Sequence, residues 1–183
     1  MYHITDNKRR IESAELLSDA LFKILEHKPY EEITITDLQK SSSISRSTFY
    51  RLFDNIDDIF HYQLDMIFST LKEELMHIDH KDLLDFLIDK CFKYQNLFIK
   101  IIQARKYSII VECFEKHQSE LLAEKSFETE EDYIDAKYGL SVLGCIIIGT
   151  LNVWHKSGQK ETIKQLHQRI VSITSDLNDL FNH

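Results

Sequence analysis

The chain has 183 residues, 43% of them hydrophobic, with four glycines, one proline and a formal net charge of −8. Such a composition can bury a real core, reads as globular rather than disordered, and favours long helices over a many-stranded sheet. Its three cysteines, Cys91, Cys113 and Cys145, are odd in number, far apart and set beside apolar residues. That is the pattern of free thiols in a reducing cytosol rather than of a disulfide framework.

The first residues, "MYHITDNKRRIE", contain neither an apolar run nor a small-residue cleavage site, so no secretory leader and a cytoplasmic location are expected. Helical periodicity begins at Lys8 and runs to His27, with Ala14, Leu17, Leu21, Ile24 and Leu25 on one side and Glu12, Glu15, Asp19 and Lys23 on the other. Pro29 then breaks the helix. In "TITD", Thr34 is placed to cap a second helix while Asp37, three residues on, returns a bond to its start. This helix is short and ends near Ser41 to Ser43, a cluster of turn formers.

Ser45 offers the next N-cap, and Ile44 with Phe49 has the spacing of a hydrophobic staple. Two short helices joined by a tight turn are the requirement of a helix-turn-helix. The second separates into two faces: Phe49, Leu52 and Phe53 toward a core, and Arg46, Ser47, Tyr50 and Arg51 outward. From Lys40 to Phe53 the charged residues are Lys40, Arg46 and Arg51, all positive, in a chain that is acidic as a whole. Arginine can fork onto a guanine edge and hydroxyls can hold phosphates, so this face suits the major groove of DNA. The cluster Lys8, Arg9 and Arg10 can reach the phosphate backbone or the minor groove. Acidic residues elsewhere would repel DNA and favour docking by this one face.

The ordered string "ITITDLQKSSSISRSTFYRLFDNIDDIF", Ile33 to Phe60, resembles the TetR family of transcriptional regulators. Its parts are Thr34 at the second helix, Ile44-Ser45 at the turn, "STFY" in the third helix, Phe53 closing it and "NIDDIF" starting the fourth. With the preceding helix the resemblance covers about a third of the chain; the remainder is similar only in its helical plan. It implies that Arg46, Ser47 and Tyr50 approach bases, that Thr34, Ser45 and Thr48 hold phosphates, and that Thr36 and Arg51 flank the contact. Ser42 and Ser43 stand where the family commonly has Ala and Gly, Leu52 replaces a frequent His, and Ile56 replaces a frequent phosphate-supporting Lys. The last change would remove about one unit from the salt dependence of binding.

A fourth helix follows over Asn55 to Met76, with Asn55 as its cap and Ile59, Phe60, Leu64, Ile67, Phe68 and Leu71 at helical spacing. "MHIDHKD", Met76 to Asp82, reads as the domain junction, with His77 and His80 as solvated residues rather than metal ligands. Three further helices are expected over Leu83 to Tyr94, Leu97 to Ala104 and Tyr107 to Ala123. On the third, Cys113 reads as a packed thiol and His117 as a surface histidine. The aromatics Phe86, Phe92, Tyr94, Phe98, Tyr107, Phe114, Tyr133 and Tyr138 are at core spacing. In the family the larger helical domain typically encloses a small-molecule pocket, for which Phe86, Phe98, Tyr107, Phe114 and Tyr138 are the candidates.

The segment from Tyr138 to Trp154 is uncharged, yet it contains three glycines and falls just short of a membrane span, so a helix buried between protein surfaces is expected. After "KSG", Lys160 to Phe181 repeats apolar residues with helical spacing. An apolar helix followed by an amphipathic antiparallel one suggests docking onto a two-fold mate as a four-helix bundle, the alternative being completion of a monomer core. Candidate interface residues are Gly144, Ile148, Leu151, Ile170, Ile173 and Leu177.

No Gly-rich phosphate loop, GxSxG elbow, HExxH or paired-cysteine motif is present, so neither an enzyme nor a cofactor or metal is expected. The sequence therefore predicts an all-α protein of about nine helices. A three-helix DNA-binding domain would span 1–54, a connecting helix 55–76, and a larger ligand-binding and dimerisation bundle 77–183. The expected partners are a double-stranded DNA operator, a second copy of the chain and a small-molecule effector, with no membrane. The alternative is the same fold working through protein contacts without an effector.

Overall fold

The computed structural model describes residues 1–5, 7–78 and 83–181, and of 83, 84 and 174–181 the helical backbone only. Among the described residues it is all-α, with nine helices and no strand. They are α1 (Lys8–Ile24), α2 (Ile35–Ser42), α3 (Arg46–Leu52), α4 (Asp57–Leu75), α5 (Leu83–Lys93), α6 (Gln95–Gln103), α7 (Tyr107–Glu124), α8 (Glu130–Lys156) and α9 (Ile163–Phe181). Two compact units are built from them. Unit 1 takes Met1–Thr70 and Lys100–Phe114, and unit 2 takes Leu71–Ile99 and Glu115–His183, so α4, α6 and α7 each supply residues to both.

In unit 1, α1 packs on α2 and α3. Ala14, Leu17, Leu21 and Ile24 form the buried stripe of α1, and Leu38 of α2, Phe49 and Leu52 of α3 and Phe53 just after it are buried too. The rings of Phe49 and Phe53 lie 5.8 Å apart, and Phe53 meets Tyr62 at 6.1 Å. Burying a phenylalanine of this kind contributes about 2 to 3 kcal/mol. The amino-terminal segment adds to this core. Tyr2 pairs with Phe53 in an isolated antiparallel bridge, the His3 N–H donates to the Leu52 carbonyl at 2.8 Å, and the Tyr2 hydroxyl donates to Asp65 at 2.7 Å.

In unit 2, α8 packs against α5 and α9. Ile147, Ile148, Leu151 and Trp154 form its buried side. Trp154 sits edge-on to Phe92 at 5.8 Å, and its indole N–H donates to the Glu161 carbonyl at 3.0 Å. Thr129 and Asp132 form a capping box at the start of α8, which accounts for where this helix of 27 residues begins.

One expectation fails here. His117 is not a surface residue but is buried, with its Nδ1 3.4 Å from Glu120. Cys113, His117 and Leu121, each four residues apart, form one buried stripe of α7, so the histidine shares the face of its apolar neighbours. His77 is exposed, and His80 lies outside the described residues.

Candidate nucleic-acid interface

The turn between α2 and α3 is built by side-chain capping. Thr34 caps α2: its hydroxyl accepts from the Asp37 N–H at 3.2 Å, while its own N–H and hydroxyl donate to the Asp37 carboxylate at 2.9 and 2.7 Å. Lys28 Nζ adds an ion pair to the same carboxylate at 2.8 Å. The Lys28 partner, with the bonds from Thr34, holds the Asp37 carboxyl well below the usual carboxylate range.

At the turn, Ser43 adopts φ 60°, ψ 12°, the left-handed region, and its N–H donates to the Gln39 carbonyl at 3.0 Å. The Ser42 hydroxyl donates to the Leu38 carbonyl at 2.7 Å and accepts from the Ile44 N–H at 3.1 Å. The two serines therefore make a tight C-terminal stop without glycine, at the expense of one residue in a conformation that L side chains disfavour.

Ser45 caps α3, accepting from the Thr48 N–H at 3.2 Å. The hydroxyls of Ser47 and Thr48 lie 3.0 and 2.9 Å from that of Ser45, so three hydroxyls meet at the start of the helix. Further along, Phe49 is 1% exposed and Tyr50 is 51% exposed. The two rings meet edge to face at 5.5 Å, which braces the tyrosine from behind. Arg46, Ser47 and Arg51 are exposed with it, and Thr48 is half-buried. Arg51 Nε donates back to the Ser47 carbonyl at 3.3 Å, which lays this guanidinium along its own helix.

Thr36 is exposed on α2. Thr34 is exposed too, but its hydroxyl proton is committed to Asp37, so its first role is the cap. Lys8, Arg9 and Arg10 are all exposed at the start of α1, where Asn7 accepts from the Arg9 and Arg10 N–H groups at 3.1 and 3.4 Å. Lys8 lies 3.9 Å from Glu12 one turn on, and the Arg10 guanidinium reaches the His3 carbonyl and the Thr5 hydroxyl, both at 3.4 Å. Two of the three cations thus have partners within the chain.

The residues expected elsewhere are dispersed. Phe98 is buried in unit 2, Phe86 is half-buried, and Tyr138 is 66% exposed on α8; Tyr107 and Phe114 belong to unit 1. A cavity of about 520 Å³ lies in unit 2 between the ends of α4 and α7 and the first half of α8, and none of these five aromatics lines it. Of the residues expected at a chain–chain contact, Ile148, Leu151 and Ile170 are buried within the single chain, Gly144 is half-buried and Ile173 is exposed. The Leu177 side chain lies outside the described residues.

No protein-family model matches the chain, and no curated protein matches its sequence. Solved structures do match. Lin0861 from Listeria innocua superposes with a TM-score of 0.73 at 21% identity, covering 96% of each chain. A TetR transcriptional regulator from Streptococcus agalactiae superposes with a TM-score of 0.57 at 18% identity, over 91% of this chain and 95% of the other. NemR of E. coli in its reduced form gives a TM-score of 0.51 at 13% identity, over 88% of this chain and 97% of the other. Nine helices, a capped helix-turn-helix in unit 1 and agreement over nearly the whole length lead to one conclusion: the chain has the fold of a TetR transcriptional regulator.

Proposed function

We propose that the chain is a sequence-specific DNA-binding transcriptional regulator, acting as a repressor. It would bind a pseudo-palindromic operator as a homodimer, with an effector in unit 2 controlling its affinity. The observation that carries this reading is the division of α3: Phe49 and Leu52 are buried while Arg46, Ser47, Tyr50 and Arg51 face solvent on a helix clamped by caps at its start. A short, rigid, cationic helix backed by aromatic rings is what direct readout in the major groove needs. In this reading Arg46, Ser47 and Tyr50 meet base edges, Ser45, Thr48 and Thr34 lie by phosphates, Thr36 and Arg51 flank them, and Lys8, Arg9 and Arg10 add backbone attraction.

A second copy is supported by the outer side of α8. Tyr138, Val142, Cys145 and Val153 fall on one stripe of that helix and are all exposed, and such a continuous apolar stripe calls for a partner surface. By length and composition α8 could also cross a membrane. Its packing on α5 and α9 favours the chain-to-chain reading. Free thiols fit a reducing cytoplasm, and burial pushes the Cys91 thiol up to about 12, which makes it unreactive there. An effector releases DNA in this scheme only if it binds the DNA-competent and DNA-incompetent conformations with unequal affinity.

The test is selection of bound duplexes from a random pool, followed by gel retardation of the selected sequence and of a scrambled one. Enrichment of an inverted repeat retarded far more strongly than the scrambled duplex is the expected result. Equal retardation of both at physiological salt would defeat the reading.

A further inference from the structure

The cavity of unit 2 has an apolar floor and an acidic edge. Leu121 and Leu122 from α7 and Leu140 and Leu143 from α8 form much of the floor, and Phe127 closes one side. Around the edge stand Glu128, Asp132 and Asp135 against a single base, Lys125. The Asp132 carboxylate is occupied by the N–H and hydroxyl of Thr129 at 3.0 and 2.8 Å. Glu128 and Asp135 are exposed and have no ion-pair partner among the described residues, so two carboxylates are left to face whatever occupies the space. At about 520 Å³ the volume is that of a small-molecule site.

Gly139 lines this cavity from the interior of α8, and a Cβ added there would meet nothing within 4 Å. Glycine is disfavoured inside a helix relative to alanine, and neither a positive φ nor a close neighbour requires it here. A larger side chain at this position would enter open space beside the cavity.

We infer that this cavity is a binding site for a lipophilic cation, its apolar body on the leucines and its positive centre by Glu128 and Asp135. As a binding site it stands on the geometry of unit 2 alone; as the effector site it rests on the regulator reading above. An anion of the same shape would meet two unneutralised carboxylates in place of water, and is disfavoured for that reason.

The matched probes are tetraphenylphosphonium and tetraphenylborate, which share shape and differ in charge sign, titrated calorimetrically into the full chain. The phosphonium should bind at one site per chain, about tenfold or more tighter than the borate, a ratio in the range of one charge-assisted contact. The double variant Glu128→Gln/Asp135→Asn should erase that preference while leaving the melting temperature near wild type. Gly139→Leu, which fills the space, should abolish phosphonium binding without lowering the melting temperature. Absence of phosphonium binding, borate binding as tight as phosphonium, or phosphonium affinity unchanged in Gly139→Leu would each overturn the proposal. So would a Gly139→Leu variant that loses self-association and keeps the cation, because the glycine would then serve a chain–chain contact. DNA retardation by the unliganded chain is a separate measurement: failure of the cation leaves the regulator reading standing, and failure of retardation leaves the cation site standing.

Discussion

Lys106 Nζ lies 2.8 Å from Asp57 Oδ2 and 5.2 Å from the centroid of the Tyr30 ring. Asp57 also accepts from the Tyr30 hydroxyl, and the Tyr30 ring sits 5.6 Å from that of Phe60. Three segments far apart in the chain therefore meet at one carboxylate: the turn after α1, the start of α4 and the turn before α7. Burial first, and the Asp57 carboxylate second, raise the pKa of the Tyr30 phenol, so it remains a donor throughout the physiological range. Tyr30→Phe removes a hydrogen bond to a charged acceptor and should cost about 1 to 2 kcal/mol. Lys106→Met keeps the stem over the ring, and because both ionic groups are about a third exposed it should cost less, about 0.5 to 1 kcal/mol. Urea denaturation of both single variants and the double variant checks this. Additive losses would mean that the three groups do not act as a unit.

Ser43 in the left-handed region provides the next test. Its side chain is exposed, and a non-glycine residue in that conformation is strained by about 1 to 2 kcal/mol. Ser43→Gly should therefore raise stability by about 1 kcal/mol after allowing for the freer unfolded chain. Ser42→Ala should lower it by about 1 kcal/mol, since the Ser42 hydroxyl bonds on both sides of the turn. Urea midpoints at constant slope report both, and a destabilised Ser43→Gly would remove strain as the account of this turn.

Short-range features were legible in the sequence. Thr34 with Asp37, and Ser45 beside the Ile44–Phe49 staple spacing, announce helix starts, and the period of Phe49 and Leu52 assigns the buried side of α3. The Thr129–Asp132 box carries the same signature as Thr34–Asp37 and could have been found the same way. What the pattern could not reveal are pairings between distant segments. Nothing in "MYHITD" predicts Tyr2 against Phe53 and Asp65, and nothing near Lys106 predicts Asp57. Packing also groups Lys100–Phe114 with Met1–Thr70, a grouping that chain order alone does not reveal. On α8, apolarity on most sides hides which side faces the chain's own core, and only the packed helix distinguishes Leu151 from Val153.

Acid should weaken the cap of α2. The folded-state pKa of Asp37 is lowered by Lys28 first and Thr34 second, so the unfolded chain takes up this proton before the folded one. The stabilisation is fully present above the ordinary carboxylate pKa of about 4 and is lost as pH falls below it toward the depressed folded value. Wild-type melting temperature should therefore decline below about pH 4. Asp37→Asn should start lower at neutral pH and decline less over the same acid range. Parallel curves for the two proteins would show that Asp37 is not coupled to folding.

If the chain binds DNA as proposed, charge and contact type separate the two basic clusters. If Arg46 forks onto a base, Arg46→Ala costs about 1 to 3 kcal/mol on the selected operator and relaxes preference at one base pair. Lys8 is exposed beside Glu12, so in the same reading it would supply only diffuse attraction. Lys8→Ala should weaken all sequences alike and lower the salt slope by about one unit. Retardation at several salt concentrations with operator and mismatched duplexes distinguishes the two. Operator affinity that neither variant alters would place the interface elsewhere.

Leu151 and Val153 stand two residues apart on α8, 0% and 64% exposed. Leu151 belongs to the core that α8 shares with α5 and α9, so Leu151→Ala should leave a cavity and cost about 2.5 to 5 kcal/mol of stability. Val153, on the stripe with Tyr138, Val142 and Cys145, has little to lose inside its own chain. If two copies pair through this stripe, Val153→Glu combined with Val142→Glu puts charge onto the contact and should convert the dimer to monomer at micromolar concentration. With the dimer gone, the paired reading heads are lost, and affinity for the full operator should fall toward that for a half-site. Sedimentation velocity reports the mass, and urea denaturation at low protein concentration reports the fold. A double variant that remains dimeric with unchanged operator affinity would exclude the outer stripe of α8 as the chain–chain contact. A large fall in its monomer stability would instead mean that the stripe packs within one chain.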